Sequence, residues 1–318
     1  MSAKIRRRSI TWDEALEAYD LQLRARRAAK GTLDDHRLYL GYVRAHFDRL
    51  GLEPAAITVQ HLRAYQAGLF AGTNAPSKKP LSARTVGNVT SKLRRFFSFL
   101  VQDEFLASDP TARLEQPRCP RNPVGDVLTE KEVERLLAAA PDTAIGQRDR
   151  TLIEVLYATG LRRAELLALD LGDLDHDHRD LIVRRGKGGK GRRVPVTRTA
   201  WGALTEYLAD ARATFVTKHP DSVVAVFLSQ WGRRMNHMGL TRALRGLVTA
   251  AGIKGKKVSP HTFRRSFATA LLQGGASLRA IQLLLGHTDL STTAVYLRLD
   301  TSELRREVLL KHPRERMA

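Results

Sequence analysis

The chain of 318 residues has a single cysteine, Cys119. An intramolecular disulfide is therefore excluded, and a reducing, cytoplasmic compartment is expected. Pro117 and Pro120 stand close to that thiol, which reads as a linker position rather than a nucleophile's pocket. No run of about 20 apolar residues exists, so no membrane span and no membrane partner are expected. The opening "MSAKIRRRSI" is basic but passes into "TWDEALEAYD" without the apolar stretch of a secretory signal. Internal repeats and low-complexity tracts are lacking too. Acid is the other shortage: 33 Asp and Glu face 53 Lys and Arg, a formal net charge of +20.

That excess is spread along the chain. Residues 1–110 hold 18 basic and 11 acidic side chains, and residues 111–318 hold 35 and 22. Both halves are basic, so the charge is not confined to a tail. A polyanion is the expected partner, with nucleic acid ahead of a membrane surface. The length points to two domains, because single cores stop growing near about 250–300 residues.

The first 110 residues read as a bundle of four main helices. "TWDE" is a capping box, Thr11 with Glu14, and its helix is predicted to run to about Lys30. Thr32 is the expected cap of the second helix, on which Leu33, Leu40, Val43, Phe47 and Leu50 recur at helical spacing. A third helix follows Thr58. Ser82 caps a fourth, whose stripe is Val86, Val89, Leu93, Phe96, Phe97 and Leu100. Lys92, Arg94 and Arg95 lie beside that stripe and are candidate DNA contacts, although a solvated face has the same pattern. Residues 107–127 hold Pro110, Pro117, Pro120 and Pro123, and a linker is expected over 111–127. The second domain, 128–318, opens with a capping box of Thr129 and Glu132. Helices are predicted at about 148–159 and 162–169. "LIVRR" (181–185) and "RRVPV" (192–196) then read as a hairpin around "GKGGKG", with "AVFLS" (225–229) as a possible third strand. The remainder is helical. The fold class is mainly α with a small β-sheet.

Four stretches carry chemistry. In "YATGLRRAELLALDLGDLD", Arg162 and Glu165 stand at i, i+3, so Glu165 can hold the guanidinium in place; a surface ion pair has the same spacing. "GKGGKG" lacks the G-x-x-x-x-G-K-[ST] pattern of a nucleotide loop. A flexible turn that brings Lys187 onto a phosphate suits it better, with Lys190 a candidate DNA contact, and a solvated basic turn also fits. In "SPHTFRRSFATALLQGG", His261 and Arg264 share one face near a helix N-terminus, where an anion is favoured. "LLLGHTDLSTTAVYLRL" places His287 after an apolar helix and Tyr296 nine residues further on. His261 and His287 have no acidic or thiol neighbours at ligand spacing, so no metal is expected.

Taken in order, "TGLRRAE", "GKGGK", "HTFR", "LLGH" and the following tyrosine resemble the tyrosine recombinase, or lambda-integrase, family. The ending "LKHPRER" resembles the Xer-type members. The resemblance spans nearly the whole chain. It implies a helical, SAM-like core-binding domain followed by a mixed α/β catalytic domain. It also implies Tyr296 as nucleophile, Arg162 and Arg264 clamping the scissile phosphate, and His261 and His287 assisting proton transfer. Lys187 would be the general acid and Glu165 the support of Arg162. Arg265 stands where many members have a second histidine, and Phe263 where leucine is frequent; Arg265 then becomes a further DNA-contact candidate. No cofactor is implied. The implied partners are a specific DNA site and a tetramer on two duplexes, of one chain or with a paralogous recombinase. A DNA translocase is a possible further partner, and nucleoid association follows. The segment after Tyr296, with Leu304, Val308 and Leu309 on one face, either packs on its own domain or, as the resemblance implies, docks on a neighbouring protomer. A type IB topoisomerase-like activity and a non-catalytic architectural role are the competing readings.

DNA affinity should fall with salt by about 0.9 in log K per log unit of salt for each phosphate neutralised. Filter binding across a salt series measures it, and a flat response contradicts the basic-surface reading.

Overall fold

The computed structural model describes residues 10–119, 125–184, 191–216, 224–286 and 301–316, with the side chains of 301, 302 and 316 outside the description. The chain divides into two compact units, 1–123 and 124–318.

The first unit is built from α1 (Trp12–Ala25), α2 (Lys30–Asp48), α3 (Val59–Ala71) and α4 (Ala83–Gln102). Trp12 is its keystone. The capping box of Thr11 and Glu14 starts α1 and points the indole inward. The ring stacks between Phe47 and Phe96, with centroids at 6.3 and 5.9 Å, and its N–H donates to the Leu52 carbonyl at 2.9 Å. That bond matters because a buried indole N–H needs an acceptor. The α4 stripe is buried as its spacing predicted, from Val86 to Leu100.

Two boundaries differ from the sequence expectation. Helix α1 stops at Ala25, because Arg27 turns the chain with φ of +52°. Helix α2 then starts at Lys30 on Ala29, with no side-chain cap, so Thr32 lies inside the first turn. The stretch expected as a linker is also tied down at both ends. Arg94 donates to the Leu114 carbonyl, Gln66 to that of Glu115 at 3.1 Å, and Gln116 reaches back to the Gly87 carbonyl at 2.8 Å. On the other side, the Leu128 N–H donates to Ser266 Oγ at 2.8 Å, and Lys256 to the Val127 carbonyl at 2.9 Å. Proline composition marks the absence of helix, but it does not reveal which carbonyls side chains capture. Two expected DNA contacts are engaged within the unit. Arg94 holds Leu114, while Lys92 pairs with Asp35 at 2.9 Å and lies over the Tyr39 ring at 4.5 Å. Arg95 is exposed.

The second unit surrounds α6 (Ala144–Thr159), whose Leu152, Ile153, Val155, Leu156 and Ala158 are all buried. Around it stand α5 (Glu130–Ala138), the short α7 (Arg163–Ala168), α8 (Arg198–Ala209), α9 (Ala211–Val216), α10 (His237–Ala250) and α11 (Pro260–Gln273). The sheet has antiparallel order β1 (Leu174–Asp175), β2 (Asp180–Val183), β3 (Arg192–Pro195), with Leu181 opposite Val194. The predicted hairpin is β2–β3. The predicted strand at 225–229 is not a strand, and β1 takes the third place in the sheet. Ala225 and Leu228 form single bridges to Asp170 and Arg234, while Ala225 through Leu228 are wholly buried. A short apolar run reads alike for a strand and for a buried crossing segment.

Helices α12 (Leu278–Leu285), α13 (Thr301–Lys311) and α14 (Pro313–Arg316) complete the unit. Within the single chain, the described residues of the final segment pack on their own domain. Val308 and His312 are fully buried, Arg305 pairs with Asp180 at 2.6 Å, Arg314 with Glu154, and Glu315 with Arg198. The reason lies in "KHPRE". His312 Nε2 donates to the Tyr157 carbonyl at 3.1 Å, and its Nδ1 accepts the Arg314 N–H at 3.2 Å. An imidazole that donates on one side and accepts on the other is neutral.

Burial accordingly pushes the His312 pKa down to about 4. The unfolded chain takes up this proton near pH 6.5, and the folded one does so only near 4. The contribution of His312 to stability is thus complete above about pH 6.5 and is lost as the pH falls toward 4. Acidification from pH 7 to 5 should cost about 2 kcal/mol through this residue, given about 1.4 kcal/mol per pH unit. Denaturant unfolding of the wild type and His312→Gln checks it. The difference between the two should shrink by that amount, and an unchanged difference refutes it.

Candidate active site

Helix α6 closes at Gly160 and α7 begins three residues later at Arg163, so Arg162, its N-cap, stands at a corner between helices. The turn requires glycine. Gly160 has φ of +60°, and a Cβ there would lie 2.6 Å from Phe267 Cδ1. Its carbonyl, left over at the end of α6, accepts Arg264 Nη1 at 2.8 Å. Arg264 sits one turn into α11, behind the Ser259 cap and Pro260, and is buried.

The second anchor is the C-terminal end of α12. Helix ends leave carbonyls without intrahelical partners, and here three successive residues give theirs to three arginines. Leu284 accepts Arg192 Nε at 3.0 Å, Leu285 accepts Arg264 Nη2, and Gly286 accepts Arg162 Nη2 at 3.0 Å. The negative end of the helix dipole favours cations at this place. Gly286 is left-handed, with φ of +62°, and closes the helix.

Glu165 is the third anchor. Its carboxylate accepts the Arg162 N–H at 2.8 Å, Arg162 Nη1 at 2.8 Å, and Arg192 Nη1 and Nη2 at 2.8 and 2.9 Å. Burial pushes this carboxyl up, but the bonds from Arg192 and Arg162 outweigh it and hold the pKa at about 2. Burial, and then the Arg162 charge, bring Arg264 down to about 10, so it stays protonated at neutral pH. His261 is lowered by burial and then by Arg264, Arg265, Arg163 and Arg162, which leaves it neutral and able to accept a proton.

Three guanidiniums against one carboxylate leave a surplus of two positive charges. Arg162 and Arg264 each commit two side-chain N–H groups to described residues, out of the five that a guanidinium carries. A charged pair of forks with donors to spare suits a tetrahedral oxyanion such as a phosphate diester.

The structure thus brings together Arg162, Glu165 and Arg264, which the sequence placed in two separate motifs, and sets the exposed His261 within the electrostatic reach of both arginines. Arg265 is not part of the group. It donates to the Asp126 carbonyl at 2.9 Å and to Thr262 Oγ1 at 3.4 Å, because the next position on a helix turns about 100° away. Lys187, Lys190, His287 and Tyr296 lie outside the described residues. Arg192 belongs to the cluster, and the sequence reading did not single it out. It stands 27 positions from Glu165 and 92 from Leu284, and no helical or strand period links such positions.

Gly160→Ala should disturb both fold and site. The left-handed strain and the clash with Phe267 should cost about 2 kcal/mol or more, and the displaced carbonyl should loosen Arg264. Denaturant unfolding together with DNA cleavage checks this. A variant with wild-type stability would show that the turn does not need its glycine.

Residues 126–303 match the model of the phage integrase family. Among curated relatives, the tyrosine recombinase XerD of Caulobacter vibrioides is 38% identical over 291 residues, covering 91% of this chain and 92% of the relative. XerD of Oceanobacillus iheyensis is 39% identical over 233 residues, covering 73% and 77%. Among solved structures, the Tn1549 transposon integrase with transposon right end DNA aligns with a TM-score of 0.67 at 21% identity, over 94% of this chain and 98% of that one. A lambda integrase dimer bound to a COC′ core site gives 0.64 at 18%, over 90% and 100%. These two likenesses speak for the fold. With the family match lying on the unit that holds the arginine cluster, and with relatives aligned along most of their length, the chain belongs to the phage integrase family of tyrosine recombinases, enzymes that break and rejoin DNA.

Proposed function

We propose that this protein is a site-specific DNA recombinase that exchanges strands between two duplex sites through a 3′-phosphotyrosyl intermediate, with Tyr296 as the nucleophile. The observation that carries the reading is the clamp of Arg162 and Arg264, both anchored on the end of α12 and backed by Glu165. The chemistry asks for such a clamp. A phosphodiester repels an incoming phenolate, and the pentacovalent transition state gains a second negative charge. Two guanidiniums on the non-bridging oxygens offset it, at about 3–4 kcal/mol per well-aimed donor.

Tyrosine has an unperturbed pKa near 10, so its proton must leave during attack. Neutral His261 is suited to hydrogen-bond the phosphate or take that proton, together with His287. The departing 5′ oxygen needs a proton in turn, and Lys187 would supply it. One phosphodiester is exchanged for another, so no ATP is consumed and the step reverses. Attack by the 5′-hydroxyl of a second duplex completes the exchange.

DNA is the partner on this reading, and a tetramer on two sites is the working form, made of one chain or completed by a paralogue. Similarity to XerD along most of the chain supports Xer-type resolution of chromosome dimers over integration of a mobile element. Association with the nucleoid, and activation by a DNA translocase, fit that role. Arg95, Lys190 and Arg265 are proposed to add to DNA binding, Arg265 by way of the electrostatic field rather than a free fork.

Covalent trapping tests the proposal. The protein is mixed with fragmented host DNA, including nicked fragments that lose the 5′-hydroxyl end after cleavage, and the mixture is denatured with SDS. Protein-linked DNA is then sequenced, with Tyr296→Phe in parallel. Adducts that require Tyr296 and map to one sequence are expected. Tight binding without any adduct would favour the architectural reading, and relaxation of supercoils without joining of two sites would favour the topoisomerase-like one.

A further inference from the structure

Arg192 opens β3, immediately after the glycine-rich sequence "GKGGKG", and its side chain is more buried than that of Arg162. All three nitrogens of its guanidinium are used. Nη1 and Nη2 meet the two oxygens of Glu165 as a parallel fork, and Nε donates to Leu284. A Cβ on Gly286 would come within 3.2–3.3 Å of the same guanidinium, so Arg192 lies flush against the backbone that ends α12.

This arrangement decides what Glu165 does to Arg162. A carboxylate paired with Arg162 alone would orient it and also cancel its charge. Only Arg264 would then face an incoming anion with its charge intact. With Arg192 on the far side, the Glu165 charge is shared, and the cluster keeps its surplus of two. Arg192 also joins Glu165 to Leu284, two residues from the Gly286 carbonyl that holds Arg162 Nη2. The two contacts that fix the Arg162 fork are thereby fixed to each other.

We infer that Arg192 is a positioning residue for the phosphate clamp: it takes up the charge of Glu165 and locks that carboxylate to the end of α12, so that Arg162 is aimed without being neutralised. The inference rests on the recombinase reading above. It places Arg192 behind the reacting atoms, acting through Arg162.

The test separates a charge-dependent role from a general loss of structure. Single-turnover cleavage is measured on the duplex recovered by trapping, carrying at the scissile position either the natural phosphodiester or a methylphosphonate. The methylphosphonate replaces a charged non-bridging oxygen with a methyl group, so it lowers the demand for positive charge. A misfolded site would damage both reactions alike. Arg192→Gln should lose about 10–100-fold in cleavage rate on the phosphodiester, as supporting partners of a reactive centre commonly do. On the methylphosphonate most of that deficit should close, with DNA affinity close to that of the wild type. Equal deficits on the two substrates, or undiminished cleavage of the phosphodiester, would overturn the inference. Arg192→Lys keeps the charge without the fork, and it serves as the readout if the Gln variant does not fold. It should show a smaller deficit with the same dependence on substrate, and equal deficits would again overturn the role. If the wild type forms no Tyr296-dependent adduct at all, the recombinase reading fails first and this inference fails with it.

Discussion

The catalytic unit depends on a single electrostatic arrangement: the last carbonyls of α12 and the Glu165 carboxylate share three guanidiniums. Each anchor would be costly alone. The carbonyls at a buried helix end need donors, and a buried carboxylate needs cations. The guanidiniums, in turn, would repel one another without acceptors between them. Met together, these demands are resolved with two positive charges in excess. The surplus is what an anionic substrate would meet, and it is held in place by the carbonyl ends of α6 and α12 and by Glu165.

The same arrangement explains the glycines that frame the site. Gly160 and Gly286 each end a helix in the left-handed conformation, and each offers its carbonyl to an arginine. The left-handed turn both stops the helix and frees a carbonyl at its end. Helix termination and site construction are therefore one event. The C-terminal helices add a further constraint. His312, Arg314 and Glu315 bind α6 and α8 through neutral and ionic contacts, so the end of the chain buttresses the helix that leads into Gly160.

Much of this was legible in the sequence. The capping boxes of Thr11, Thr129 and Ser82's simpler cap announced their helices, the α4 stripe announced its core, and the alternating apolar runs announced the β2–β3 hairpin. Each is a local signal, read within one or two turns of chain. The pairing of Arg162 with Glu165 was visible for the same reason, since i, i+3 neighbours on a helical turn must meet. What depends on distant partners was not legible. Arg94 and Lys92 lay beside an apolar stripe, and nothing in the stripe revealed that Leu114 and Asp35 would meet them. Ala225–Leu228 has the composition of a strand, yet the core takes it as a buried crossing.

By itself, the sequence determined where the side-chain-capped helices α1, α3, α4 and α5 begin, which faces they bury, that the chain is basic throughout, and which residue types are on hand for phosphate chemistry. Only the tertiary structure decided which of the many arginines gather around one carboxylate and one helix end. Arg162, Arg264 and Arg192 come together because helix ends need donors and Glu165 needs counter-charge, while Arg94 and Arg265 are drawn to other carbonyls. A guanidinium carries the same charge wherever it stands in the chain, so its role is set by the acceptors that folding places beside it.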